Sequence, residues 1–153
     1  MRAASYLIGL GSNRRHGRFG APDAVVRAAA GVLEARVLST IVTSPPLGPG
    51  RRRYANAVAV IDSALSPPAM LVRLKAVERG LGRRSGRRWG DRVLDLDIVA
   101  WSGGGWRARG LVVPHAAASQ RAFVLWPAAR VAGAWRIGPK RVRHLAHGLA
   151  RPR

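Results

Sequence analysis

Two aspartates with one residue between them, Asp95 and Asp97, sit in a run whose neighbouring positions are Leu94, Leu96 and Ile98. Successive side chains of an extended strand point to opposite faces. The three apolar residues therefore share one face and the two carboxylates the other, with their Cα atoms about 6.6 Å apart. Carboxylate oxygens at that spacing can grip one divalent cation or a bridged pair, so Asp95 and Asp97 are expected to form a hard-metal site. Only seven acids occur in the chain (Asp23, Glu34, Asp62, Glu78, Asp91, Asp95 and Asp97), and three of them fall within residues 91–97. Arg87, Arg88 and Arg92 lead into the pair. Oxygen ligands for Mg²⁺ beside planar guanidinium forks suit a metal-bound triphosphate, which points to phosphoryl-type transfer from a nucleotide. An isolated Asp-x-Asp can also merely balance a basic surface; the Arg-Trp-Gly-x-Arg lead-in and the apolar alternation favour the metal.

Other residues could join that chemistry. His115 follows the apolar run Leu111-Val112-Val113 and Pro114, whereas His16, His144 and His147 are expected at the surface. Asn56 stands in an alternating apolar run and must find partners if buried, as a solvated amide at a sheet edge or as a reader of ligand. Glu78 falls on the last turn of a helical pattern, where the dipole disfavours an acid; it needs a cationic partner or a ligand. Residues 83–90 form a basic, glycine-containing loop suited to closing over a nucleotide. Arg51, Arg52 and Arg53 are expected as a solvated loop tip.

These residues must be positioned by a modest set of elements. Residues 5–10 read as a buried strand ending in a Gly11-Ser12-Asn13 turn. A helix is expected from Pro22-Asp23 to about Ala35, its inner stripe being Val25, Ala28, Ala29, Val32 and Leu33. Residues 37–43 read as one strand that stops at the stiff Ser44-Pro45-Pro46-Leu47-Gly48 loop, and residues 54–61 as the next. Ser66-Pro67 is an N-cap followed by proline in the first turn. It opens a helix with Met70, Leu71, Leu74, Val77 and Leu81 inward, ending near Gly80 to Gly82. After the Asp95/Asp97 strand come a short strand at 111–113, a helical pattern from Ser119 through Trp126, and a tail with a short strand and a closing helix. The order strand, helix, strand, strand, helix, strand is the βαββαβ plan, so the fold class expected is α+β, a ferredoxin-like core with a mainly antiparallel sheet and helices packed on it.

Composition bounds the function. A chain of 153 residues with 48% hydrophobic content is expected to form a single domain spanning residues 1–153. The absence of cysteine excludes disulfides and thiolate metal sites. No apolar run approaches the length of a membrane span, and no secretory signal is read at the start, so a cytoplasmic protein with no membrane partner is expected. The net charge of +20 would suit nucleic acid. All but two of the 27 basic residues are Arg, however, and they spread along the whole chain, so no specific nucleic-acid partner is expected. A basic nucleic-acid-binding domain of the same fold remains the competing reading; it would need aromatics exposed together on the sheet. A sugar transferase of the Asp-x-Asp type would need a longer chain.

Five separated stretches, taken in order, are similar to one family: 11–13 (Gly-Ser-Asn), 44–48 (Ser-Pro-Pro-Leu-Gly), 54–57 (Tyr-Ala-Asn-Ala), 88–98 (Arg-Trp-Gly-Asp-Arg-Val-Leu-Asp-Leu-Asp-Ile), and 113–115 (Val-Pro-His) with 121–125 (Arg-Ala-Phe-Val-Leu). The chain resembles the 6-hydroxymethyl-7,8-dihydropterin pyrophosphokinases, enzymes of folate biosynthesis that move a diphosphate from ATP to a pterin alcohol and release AMP. The resemblance covers roughly Tyr6 to Ala129. It implies that Asp95 and Asp97 hold two Mg²⁺ ions, and that Arg83, Arg92, Arg121 and His115 neutralise the phosphates. It further implies a pterin stacked between Tyr54 and Phe123, its edge read by Asn56 and by main-chain groups of Ser44, Pro45 and Leu47. Trp89 would close over the filled site, and adenine would meet main chain at Ile98 and Val112. ATP and the dihydropterin alcohol are then the partners of a monomer. Asp91 departs from the pattern, standing where the family commonly has proline.

Overall fold

The computed structural model describes residues 3–45, 52–82 and 93–152. Its centre is an antiparallel sheet built on β1 (Ala4–Ser12) and β4 (Tyr54–Ser63), which pair from Ala4↔Ser63 to Ser12↔Ala55. β5 (Asp95–Trp101) lies on the other side of β1, and two short strands, β2 (Val37–Leu38) and β3 (Val42–Ser44), lie along β4. The spatial order β2-β4-β1-β5 is that of the expected ferredoxin-like core.

Each central strand splits its residues between two cores, as period-2 alternation requires. One face carries Tyr6, Ile8 and Leu10 of β1, Ala57, Ala59 and Ile61 of β4, and Leu96 and Ile98 of β5. Against it pack α1 (Pro22–Val32) and α2 (Pro67–Gly80). The other face carries Leu7, Val58, Val60, Val99 and Ala100 beneath α3 (Ala122–Ala132) and α4 (Val142–His147). Two hairpins complete the chain: β6 (Trp106–Ala108) with β7 (Leu111–Val113), and β8 (Arg136–Ile137) with β9 (Lys140–Arg141). The Val113–Pro114 peptide between the first hairpin and His115 is cis.

Several expectations change. β1 continues through Ser12, and Ser12 and Asn13 are buried rather than exposed in a turn. The strand read over 37–43 is broken in two, because the Ser39 hydroxyl takes the N–H of Val58 and interrupts the ladder between β2 and β3. α1 stops at Val32, which is 54% exposed; the buried stripe is Val25, Val26, Ala29, Ala30 and Leu33, one position round from the spacing expected. The helix after Ser119 begins at Ala122, behind a single 3-10 turn at Ala118–Gln120. The tail holds a hairpin where one strand was expected. His16 is half-buried, its Nδ1 accepting the N–H groups of Arg18 and Phe19, while His144 and His147 are exposed as expected. The Ser66 hydroxyl caps α2 by accepting from the Ala69 N–H.

Candidate active site

In the register of the sheet, Asp95 lies opposite Gly11, which lies opposite Asn56; one step along, Asp97 lies opposite Gly9, which lies opposite Val58. Cross-strand partners point their side chains to the same face. Both carboxylates therefore rise from the face covered by α3, and Leu94, Leu96 and Ile98 go into the opposite core, as the alternation predicts. Two glycines stand beside the acids, so β1 contributes backbone but no side chain at that point. A trough opens between β4 and β5 whose width, two strand spacings, is about 10 Å.

α3 and the segment before it roof the trough at one end. His115, Ala118, Arg121, Phe123 and Val124 line it together with Gly9, Gly11, Ser44, Tyr54, Asn56, Asp95 and Asp97, around an open space of about 600 Å³. His115 is held by its backbone N–H to the Val99 carbonyl at 2.9 Å, and its Nδ1 accepts the Ala117 N–H at 3.1 Å. In the neutral ring the hydrogen then sits on Nε2. The guanidinium of Arg121 lies 5.8 Å from the centre of the Phe123 ring. Asn56, on a strand flanked on both sides, is buried; it is not an edge amide, and its Nδ2 donates to the Ser44 hydroxyl at 2.8 Å. Its Oδ1 is turned toward Gly11, 3.4 Å from where a Cβ on that residue would stand.

The electrostatics suit a cation. Burial first, and the charge of Asp95 second, push the Asp97 carboxyl above its ordinary value; His115, Arg121 and Lys75 pull it down by less. Two carboxylates forced together in a partly dry trough are relieved by a positive ion. Among the described residues no cluster of three or more acids, histidines or cysteines could enclose a metal. The pair Asp95 and Asp97 suits Mg²⁺, which keeps several waters and is held by one or two carboxylates together with substrate phosphates.

The expected site residues are thus partly gathered. Asp95, Asp97, His115, Arg121, Ser44, Tyr54, Asn56 and Phe123 line one cavity. Pro45 is exposed at the end of β3 and stands outside that lining. The Ile98 side chain is buried in the opposite core, and Val112 lines a separate groove beside Trp106, Ile137 and Lys140. Leu47, Arg83, Trp89 and Arg92 lie outside the described residues, as do Arg51 and Asp91. Gly9 and Gly11 were not among the expected site residues, although Gly-x-Gly inside a strand is a visible sign of two bare positions on one face. Lys75 was also missed, because its nearness to Asp97 depends on how α2 packs against β5. Both faces of the sheet carry helices, so the described residues present no open aromatic platform of the kind an RNA-binding sheet needs. Among them, too, no helix is long and apolar enough to cross a membrane.

Fold and trough together define an α+β protein of ferredoxin-like plan with paired carboxylates beside a bare strip of sheet. The chain belongs to the 7,8-dihydro-6-hydroxymethylpterin-pyrophosphokinase family, whose model matches residues 7–133. It is 40% identical over 114 residues to the 2-amino-4-hydroxy-6-hydroxymethyldihydropteridine pyrophosphokinase of Pseudomonas aeruginosa, across 74% of this chain and 69% of that one. To the enzyme of that name from Methylorubrum extorquens it is 41% identical over 90 residues, across 59% of this chain and 57% of the other. These matches therefore span between 57% and 69% of the relatives' length. A solved Plasmodium falciparum HPPK-DHPS with SDX-DHP superposes with a TM-score of 0.73 at 11% identity, over 96% of this chain and 44% of that one. A second HPPK-DHPS, in complex with substrates, gives 0.72 at 10% identity, over 97% and 45%. These structural likenesses bear on the fold.

Proposed function

We propose that the chain transfers diphosphate from ATP to the hydroxymethyl group of 6-hydroxymethyl-7,8-dihydropterin, releasing AMP, as a single catalytic domain and a cytoplasmic monomer. The observation that carries this reading is the row Asn56, Gly11, Asp95 across three strands. An amide and a carboxylate stand on opposite sides of a bare strip of sheet, which supports the amide as reader of a heterocycle edge and the carboxylate as holder of a metal. A flat bicyclic ring laid over Gly11 reaches from one to the other.

Tyr54 and Phe123 supply aromatic faces from β4 and the first turn of α3, giving stacking without a demand for charge. Asn56 is held by Ser44, so its carbonyl is aimed before the ligand arrives, and an analogue lacking the matching edge leaves buried groups unpaired. Main-chain groups of Ser44, Pro45 and Leu47 complete that edge. Asp95 and Asp97 would hold two Mg²⁺ ions, and one of the two carboxylates receives the proton of the attacking hydroxyl. Magnesium held there would supply charge neutralisation at the triphosphate and lower the pKa of that hydroxyl. His115 and Arg121, with Arg83 and Arg92 from the basic segment, neutralise charge on the phosphate oxygens as the bond between the α- and β-phosphates breaks. Adenine meets the backbone at the outer edge of β5, at Ile98, and at Val112, while Trp89 closes over the occupied site.

Incubation with ATP, Mg²⁺ and the pterin alcohol tests the reading directly. AMP and the pterin diphosphate are the expected products. Release of ADP, or no turnover by folded protein, overturns it.

A further inference from the structure

Glu78 is anomalous by two physical criteria. It stands in the last turn of α2, where the helix dipole opposes an acid, and it is only 2% exposed, where a carboxylate is costly unless hydrogen-bonded. A cation or a ligand was expected beside it. The structure gives it Lys75, whose Nζ lies 3.9 Å from Oε1, and also the backbone N–H of Leu96, which donates to Oε2 at 2.8 Å. Leu96 is the residue between Asp95 and Asp97.

The site of that bond matters because β5 is an edge strand. It pairs with β1 on one side, and among the described residues no strand pairs along its other edge. The ladder is also irregular close by: Ile8 faces Ile98 but Leu7 faces Ala100, so Val99 is an extra residue. A slip of one residue in front of that bulge would turn both aspartates into the apolar core and push Leu96 into the trough. Something must fix the pleat on the acid-bearing side of the bulge, and the Glu78 carboxylate clamps its middle residue from α2.

We propose that Glu78 is a positioning residue: by holding the Leu96 N–H on the side of β5 away from β1, it keeps the Asp95 and Asp97 carboxylates aimed together into the trough. It touches neither substrate in this scheme and acts through the strand. The proposal rests on the reading of Asp95 and Asp97 as metal ligands, so its test includes a measurement that does not.

Three readouts on E78M, E78Q and D97N decide it. The first is amide hydrogen exchange at Leu96 in the metal-free protein. The second is Mn²⁺ affinity in the presence of a non-hydrolysable ATP analogue, followed by electron paramagnetic resonance. The third is the split between kcat and the KM for pterin. Methionine keeps volume but removes the acceptor. E78M is expected to speed Leu96 exchange and weaken Mn²⁺ about tenfold each, the worth of one hydrogen bond to a charged group. It should also lower kcat while leaving the pterin KM within about twofold, since Tyr54 and Asn56 sit on β4. Glutamine still offers a carbonyl acceptor, so E78Q should recover Leu96 protection and Mn²⁺ affinity to within about threefold of wild type. Folded E78M with wild-type Leu96 exchange and wild-type Mn²⁺ affinity overturns the proposal. Should E78M fail to fold, E78Q decides alone, and a loss of Mn²⁺ affinity as deep as that of D97N overturns it. If D97N itself binds Mn²⁺ like wild type, the metal reading falls; unchanged Leu96 exchange in E78M would sink the clamp separately.

Discussion

Asp97 shows what a binding trough costs the protein that carries it. Its carboxyl is pushed above the ordinary value of 3.8 by burial and by Asp95. The folded state thus holds that proton more tightly than the unfolded state does. Stability from this group is fully present below the unfolded value and is lost as pH rises through the raised folded value. In the metal-free protein, Asp97→Asn should therefore raise the thermal midpoint at neutral pH, and the gain should vanish as pH falls toward 4. Midpoints that run parallel across the whole range would contradict the cause assigned here. Turnover should drop by about 10³-fold in the same variant, the scale of losing a group that stabilises developing charge. Added Mg²⁺ and nucleotide should stabilise wild type far more than the variant. Asn56 makes the complementary case. Asn56→Ala removes a buried amide and strands the Ser44 hydroxyl, so it should cost about 1–3 kcal/mol of stability and raise the pterin KM by about 10- to 100-fold. Steady-state kinetics on both substrates should find the ATP KM nearly unmoved; equal losses for both would argue against an edge-reading role.

At the scale of elements, the aspartate strand was legible because alternation is local: the five residues 94–98 determine which face each side chain takes. The Asn56 strand was equally legible, but its place in the sheet was not. Whether an alternating run becomes an edge or a centre depends on partners distant in sequence, and here β1 on one side with β2 and β3 on the other settles it. The break between β2 and β3 was hidden for a related reason, since the Ser39 hydroxyl competes for an N–H that only the folded sheet brings to it. Gly9 and Gly11 gain meaning only once register sets them beside Asp97 and Asp95. That pairing allows a sharp test. A Cβ on Gly11 would meet Asn56 Oδ1 at 3.4 Å and Tyr54 Cδ1 at 3.5 Å, ordinary contact distances, and the residue needs no left-handed backbone. Gly11→Ala should accordingly fold, with stability unchanged or raised by about 0.5–1 kcal/mol. It should nonetheless weaken pterin binding by about tenfold, because the methyl group would occupy the floor on which the proposed function lays the ring. Equilibrium unfolding and a fluorescence titration with the pterin check the two halves. A variant that loses both stability and binding would mean that the glycine serves the strand rather than the trough.

Across the whole molecule, charge is distributed unevenly in a way the two substrates should feel differently. All seven acids lie at or before Asp97; beyond it the chain carries Arg107, Arg109, Arg121, Arg130, Arg136, Lys140, Arg141, Arg143, Arg151 and Arg153 with no acid to offset them. That stretch includes α3, which roofs the trough, and the hairpins and helix that flank it. A field of this sign raises the local concentration of a polyanion and speeds its encounter, and dissolved salt collapses the field as the screening length shrinks from about 10 Å at 0.1 M to about 3 Å at 1 M. ATP with its metal remains anionic, whereas the dihydropterin alcohol is uncharged and, in the proposed function, is held by stacking and an amide. The KM for ATP should therefore rise by about tenfold over that salt range at saturating Mg²⁺. The KM for the pterin should stay within about twofold, since salt does not weaken, and can strengthen, burial of an apolar ring. Arginine-to-serine changes at exposed sites remote from the trough, such as Arg136 and Arg143 together, should flatten the ATP slope slightly and leave kcat alone. Were both substrates to show the same slope, the excess arginine would have no part in drawing the nucleotide in, and the electrostatics that matter would be confined to Asp95, Asp97, His115, Arg121 and their immediate neighbours.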